Sequence, residues 1–274
     1  MSDARTDRVP EGWIRQDAER TRRAVRLPRD DDDKYTRGVL GVRTGLGMIR
    51  YLGPAGASAS VLARRPEVVT ADGRVQAWLV GSGMDRSQRD EATTADVVAA
   101  LEQGLPSVVD AGALDLVGRA TGPVVVTPHF RELSRLLDEA GIRASAEDIA
   151  ADAPGWAERA ARELGVCVLL KGATTFVVGG SARIAVRAGT PWLATAGSGD
   201  VLGGALGALV AGASTRLAGS AEPLADLAEV AAAAAWLHGR AGAIASGGGP
   251  VTALDVAEAM PRAVRDVLAG TPAG

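Results

Sequence analysis

Ten consecutive residues, Thr195-Ala-Gly-Ser-Gly-Asp-Val-Leu-Gly-Gly204, hold the densest grouping of chemically useful types in the chain. A Gly-rich turn that opens directly into a helix leaves several main-chain N–H groups unpaired at the positive end of the helix dipole, which suits an anion. Asp200 stands inside that turn. A carboxylate beside an anion hole repels a bound phosphate unless it has a task, and the simplest task is to take a proton from a substrate hydroxyl during phosphoryl transfer. The competing reading makes Ser198 or Asp200 an ordinary N-cap, with Gly199, Gly203 and Gly207 serving helix packing. The spacing does not meet the dinucleotide pattern Gly-x-Gly-x-x-Gly, because Gly203 falls one position late after Gly197 and Gly199.

A second grouping, Lys171-Gly-Ala-Thr-Thr175, closes the apolar run Val166–Leu170. A lysine and two hydroxyls at a strand end can meet phosphate or ribose, and Gly172 lets a ligand approach the backbone; a plain polar turn is the alternative. A third, Thr127-Pro-His-Phe-Arg-Glu132, leads from Val124–Val126 into a helix start. His129 then lies at the edge of a sheet, with Glu132 on the same face of the first turn. Two weaker turns follow strand-like runs, Gly81-Ser-Gly83 and Val109-Asp-Ala111. His238, in an Ala-rich helix beside Trp236, reads as a core histidine.

These residues need elements to hold them. Short continuous runs rich in Val, Ile and Leu recur at Val39–Val42, Met48–Leu52, Val75–Val80, Pro106–Val109, Val124–Val126 and Val166–Leu170, as strands buried on both faces require. Helix-like segments alternate with them at Glu91–Leu101, Phe130–Ala140, Ala146–Leu164 and Leu224–Ala245, and a small-residue helix follows Asp200 as far as Ala213. The alternation predicts an α/β domain of three layers, α/β/α, with a mostly parallel central sheet. Phe176–Arg187 predicts a hairpin turning at Gly179-Gly180-Ser181. Ligands collect at the carboxyl ends of parallel strands, where loops turn toward helix N-termini. Residues 1–33 read as a polar, solvated N-terminal arm with a short helix around Glu11–Arg23, and residues 34–274 as a single domain.

Composition narrows the chemistry. The 274 residues are 47% hydrophobic and 23% charged, and 30 Lys and Arg against 33 Asp and Glu leave a net charge of -3. That balance offers no broad attraction to nucleic acid or anionic membrane. Cys167 is the only cysteine, which excludes an internal disulfide and a thiolate metal cage and suits a reducing cytoplasm. Two histidines cannot build a three-histidine metal site, and no Gly-x-x-x-x-Gly-Lys-Ser/Thr loop is present. The start of the chain lacks the pattern of a secretory signal, and Val201–Ala213 is too short to span a bilayer.

Taken in order, Gly-x-Gly at Gly81–Gly83, Val-Asp-Ala at Val109–Ala111, Thr-Pro-His-x-x-Glu at Thr127–Glu132, Lys-Gly-x-x-Thr at Lys171–Thr175 and Gly-Ser-Gly-Asp-Val-Leu at Gly197–Leu202 resemble the ADP/ATP-dependent NAD(P)H-hydrate dehydratases. These form a branch of the ribokinase-like fold, and the likeness covers about residues 34–270. The resemblance implies a nucleotide-driven repair of hydrated NADH and NADPH: phosphorylation of the ring hydroxyl, then loss of phosphate. It implies a nucleotide site at Lys171, Gly172, Ala173, Thr174, Thr175 and Gly199, Asp200 as general base and substrate contact, and Gly83 and His129 as further substrate contacts. Glu132 is similar to the acidic residue that organises magnesium-bound phosphate in related kinases. Mg2+, ADP as co-substrate, a homotetramer and a separate epimerase are the implied cofactors and partners. The alternatives are a small-alcohol kinase of the hydroxyethylthiazole or hydroxymethylpyrimidine type, and an inactive nucleotide-binding module.

One departure bears on this. The family follows its first strand with a Tyr-Pro-Gly-Ala-Ala segment and a helix, whereas here Gly41-Val-Arg-Thr-Gly45 runs straight on to Tyr51, so a loop and a helix of at least ~10–15 residues have no counterpart near Val42-Arg43. A true deletion there would leave too few residues for a parallel crossover between the strands on either side, which needs about a dozen. Phe130-Arg131 stands where Pro-Gly is usual, and Gly112 where a second Asp is common.

Overall fold

The structure is a computed structural model that describes residues 9–27, 30, 32, 39–41 and 48–270. Among the described residues nine strands make one sheet: β1 (Ile14–Arg15), β2 (Val39–Gly41), β3 (Met48–Arg50), β4 (Ala77–Val80), β5 (Ser107–Val109), β6 (Val124–Val126), β7 (Cys167–Leu170), β8 (Thr175–Gly179) and β9 (Ala182–Val186). Their order across the sheet is β1-β9-β8-β7-β6-β5-β4-β2-β3. Every pair is parallel except β7 with β8 and β8 with β9, the predicted hairpin, which turns at Gly180-Ser181.

The helices are α1 (Ala18–Ala24), α2 (Ala55–Arg64), α3 (Glu91–Leu101), α4 (Phe130–Glu139), α5 (Ala146–Ala151), α6 (Ala153–Leu164), α7 (Ser198–Ala218), α8 (Pro223–Ser246) and α9 (Ala253–Leu268). Apart from the buried Ser107, the central strands β4 to β7 are apolar because both faces are covered. Leu79, Val108, Val125, Cys167 and Leu169 point to a core shared with α7, α8 and α9, while Val80, Val109, Val126, Val168 and Leu170 point to one shared with α3 to α6. This is the expected three-layer α/β/α arrangement, with strand residues alternating between two cores.

Four expectations change. The segment read as one helix, Ala146–Leu164, breaks at Asp152, which closes α5 and caps α6 through the Gly155 N–H. The helix after Asp200 runs to Ala218 and is long and apolar enough to cross a membrane by length and composition, but 61% of its most apolar window is buried inside the fold, as a core helix requires. Part of the polar lead-in is built into the sheet: β1 pairs parallel with β9, Trp13 meets Phe176 edge-on at 5.1 Å, Thr21 is buried, and Arg20 reaches Glu229 on α8 at 3.1 Å. Alternating charge masked the few residues that dock.

The fourth change concerns β2 and β3, which pair parallel with Val39 opposite Met48 and Gly41 opposite Arg50. Gly41 and Met48 are then separated by about two residue rises, ~7 Å, and one strand spacing, ~5 Å, within the ~20 Å that six residues can reach. Val42 and Arg43, where the family segment has no counterpart, lie outside the described residues.

Candidate functional site

Four parallel strands, β4 to β7, end at one edge of the sheet, and each delivers a polar group there. After β4 comes Gly81-Ser82-Gly83. The Gly81 φ of +94° and the 1.9 Å that would separate a Cβ there from the Asp110 carbonyl oxygen admit only glycine. After β5 comes Asp110, buried, with the next residue, Ala111, at a φ of +41°. A non-glycine residue in that region is strained, and here the strain turns the chain sharply behind the Asp110 carboxylate.

Asp110 gathers its neighbours. Thr127 Oγ1, after β6, donates to Oδ1 at 2.6 Å, Lys171 Nζ, after β7, donates to Oδ1 at 3.2 Å, and Ser82 Oγ donates to Oδ2 at 3.3 Å. Lys171 also lies 3.6 Å from Glu132 Oε2, so one ammonium faces two carboxylates. The Lys171 main-chain N–H donates to the Pro128 carbonyl at 2.9 Å, tying the β6 and β7 ends together.

His129 and Glu132 cap α4 reciprocally. His129 Nδ1 accepts from the Arg131 and Glu132 N–H groups at 3.1 and 3.3 Å, and Glu132 Oε2 accepts from the His129 N–H at 2.8 Å. With Nδ1 an acceptor, Nε2 is the nitrogen left for other partners; it stands 3.6 Å from Glu132 Oε1 on a half-exposed side chain. A cavity of about 470 Å³ opens beside His129 and Lys171, walled further by Phe130, Arg131 and Glu147.

The N-terminus of α7 completes the edge. Gly197 occupies the N-cap position in the left-handed region, φ +81°, and no side chain caps the helix. Ser198 does not serve as the cap: its Oγ is turned inward and lies 3.1 Å from His238 Nε2 on α8. The N-cap residue of this 21-residue helix thus supplies no side-chain oxygen to its first main-chain donors, and the Ser198 N–H is held by the Thr195 carbonyl at 3.3 Å. A Cβ at Gly199 would stand 3.6 Å from Lys171 Nζ, so the ammonium sits against the mouth of this helix, and Asp200 lies in its first turn. A cation and a helix dipole converge on one place, which is an anion site with a carboxylate beside it.

The NAD(P)H-hydrate dehydratase family profile matches residues 38–262. The chain belongs to the NAD(P)H-hydrate dehydratase family. Among its relatives is the bifunctional NAD(P)H-hydrate repair enzyme Nnr of Mycobacterium tuberculosis, 40% identical over 217 residues that cover 68% of this chain and 43% of the relative. The ADP-dependent (S)-NAD(P)H-hydrate dehydratase of Neisseria meningitidis is 33% identical over 199 residues, covering 66% of this chain and 62% of its own length. The chain spans about half the length of the first curated relatives it matches.

The ADP/ATP-dependent NAD(P)H-hydrate dehydratase of Bacillus subtilis, crystallised with ATP and Mg2+, shares the fold of this family member with a TM-score of 0.77 at 19% identity, over 94% of this chain and all of that one. The Corynebacterium glutamicum Nnr alignment runs over 288 residues while covering 88% of the 274 here, so that relative carries residues with no counterpart in this chain.

The structure brings Lys171, Gly199 and Asp200 to one helix mouth and His129 and Glu132 to the adjoining strand end. Gly83 has a φ of +70° and nothing within 4 Å of where a Cβ would stand, so it faces open space beside them. Gly172 and Ala173 are exposed and Thr174 half-buried in the turn between β7 and β8, and the half-buried Thr175 opens β8. Sequence reading undervalued Asp110, which ties three of these strand ends together, and took His238 for core packing alone. The first had a legible signal, an acidic residue directly after a buried strand. The second had none, since its partner is 40 residues away in sequence.

Proposed function

We propose that this chain uses ADP to dehydrate the S-form of hydrated NADH and NADPH, returning the reduced cofactor with AMP and phosphate. The observation that carries the reading is Lys171 Nζ set against Gly199 at the uncapped mouth of α7, with Asp200 in the same turn. Lys171 and the first main-chain N–H groups hold the terminal phosphate of ADP, and the ammonium trades its carboxylate partners for phosphate oxygens. Asp200 accepts the proton of the ring hydroxyl as that oxygen bonds to the terminal phosphorus and AMP departs. Phosphate then leaves the ring carbon under push from the ring nitrogen lone pair, and a proton lost from the neighbouring carbon restores the double bond. Gly83 and His129 are the proposed contacts to the hydrate, and the Lys171–Thr175 turn the proposed cradle of the nucleotide.

Magnesium fits the donors present. Glu132 and Asp110 bring two carboxylates against Lys171, and Mg2+ commonly takes one or two carboxylates together with substrate phosphates. No group of three or more His, Cys, Asp or Glu gathers among the described residues, so phosphate oxygens and water would fill the remaining positions. When bound, the ion offsets phosphate charge.

The deciding experiment mixes the protein with ADP, Mg2+ and hydrated NADH and follows the reduced-nicotinamide absorbance. Recovery of the band with release of AMP supports the reading. A stable phosphorylated product without recovery would point instead to a small-alcohol kinase, and ADP binding without turnover to an inactive nucleotide-binding module. A cytoplasmic location, a homotetramer and an epimerase that supplies the S-form belong to the same proposal. Light scattering of the purified chain tests the tetramer, and the rate gained from an added epimerase on racemic hydrate tests the last.

A further inference from the structure

One buried titratable side chain takes no part in the mechanism above. His238 lies in the middle of α8, 8% exposed, with Nε2 3.1 Å from the equally buried Ser198 Oγ at the start of α7. Burial pushes its pKa down to about 4, a hydrogen bond with the Ser198 main chain works against that shift, and the Lys171 charge adds to it, so the ring is neutral at physiological pH. The same face of α8 is shaped around the segment that leads into the Gly-Ser-Gly-Asp turn. A Cβ at Gly239 would stand 2.7 Å from the Ala188 and Gly189 backbone, and one at Gly242 would stand 2.6 Å from Leu193.

Serine beside a helix start ordinarily turns its hydroxyl onto the free N–H groups of that helix. Here the hydroxyl is drawn the other way, and the α7 donors carry no side-chain cap. We infer that His238 is a positioning residue whose imidazole engages the Ser198 hydroxyl, keeping it off the α7 N-terminal donors so that they remain open to phosphate. The inference rests on the proposed ADP site, and it predicts a specific relation between two substitutions that general loosening of the core would not give.

Removing the imidazole frees a buried hydroxyl at the start of the helix whose donors phosphate needs, whereas removing the hydroxyl as well leaves those donors open again. The test measures ADP affinity in the presence of Mg2+ by calorimetry, and turnover of hydrated NADH, for the intact chain and its variants. His238→Leu is expected to weaken ADP roughly tenfold or more, as loss of one charge-assisted hydrogen bond does. Adding Ser198→Ala is expected to restore most of that affinity, and His238→Gln, which keeps a polar group near the Nε2 position, to stay close to the parent.

Should His238→Leu fail to fold, His238→Asn, polar but too short to reach Ser198, takes its place in both arms. ADP binding unchanged by loss of the imidazole, or a double variant no better than the single one, overturns the inference. If the parent binds ADP but does not turn over hydrated NADH, the proposed reaction fails while the affinity comparison still decides the role of His238.

Discussion

Lys171 shows how one side chain can be stored and used. Its ammonium is shared between Asp110 and Glu132, at 3.2 and 3.6 Å, which spares two carboxylates at this edge from facing each other alone. Lys171→Met removes a charge-assisted partner of phosphate and is expected to raise the Kd for ADP by about 10- to 100-fold, or roughly 1.5–3 kcal/mol; titration calorimetry checks it. Asp200→Asn keeps size and polarity but cannot take a proton. It should bind ADP nearly as the parent does while turnover falls by about 10²–10⁴, the usual share of a positioned base. Unchanged turnover would take Asp200 out of the mechanism. Cys167 lies at the other extreme: buried between the layers with its thiol pKa pushed up, it is an apolar filler with no ready nucleophile.

At the scale of elements, the site depends on strand ends that approach more closely than side chains permit. The β4 and β5 ends meet where Gly81 lies against the Asp110 carbonyl, and Ala111 accepts a positive φ to keep the carboxylate turned toward Thr127 and Lys171. Gly81→Ala must move backbone, not a flexible side chain. It is expected to cost about 2–4 kcal/mol of stability and to lower activity together with the melting temperature; chemical denaturation monitored by circular dichroism measures the first. Gly203 plays the matching part on α7, where a Cβ would stand 2.9 Å from Ser82 Oγ. Most of the elements were legible because their signals are local. Glu91–Leu101 has Asp90 as its cap, Phe130–Glu139 starts after His129 with Glu132 completing the capping pair, and the β8–β9 hairpin turns on Gly180. The helices α2 and α9 and the strand β1 were not predicted. The first two lie among small or charged residues, and β1 is a two-residue strand that exists only because β9 offers an edge.

Across the whole molecule, α7 and α8 form a small-residue layer against the sheet, and the buried His238 couples that layer to acid. The unfolded chain takes up a proton near pH 6.5 that the folded chain refuses until about pH 4. Stability from this group is therefore full above about pH 6.5 and lost as pH falls toward 4, by about 3 kcal/mol over the window. Melting temperatures between pH 7.5 and 4.5 should fall more steeply for the parent than for His238→Leu. Equal slopes would mean that the ring is not buried as a neutral base.

The sequence by itself determined the layered α/β fold and the edge at which to look. Continuous apolar strands need two covering layers, and glycine, lysine and acidic residues directly after such strands can only collect at their carboxyl ends. It also carried the ordered set of turns by which the family was recognised. What the tertiary structure decided were pairings between residues far apart in the chain: Asp110 with Lys171 and Thr127, Lys171 with Gly199, and Ser198 with His238. A serine at a helix start reads as a cap until a histidine 40 residues later is seen to hold it, because local preference is small beside the cost of leaving a buried hydroxyl or imidazole without a partner.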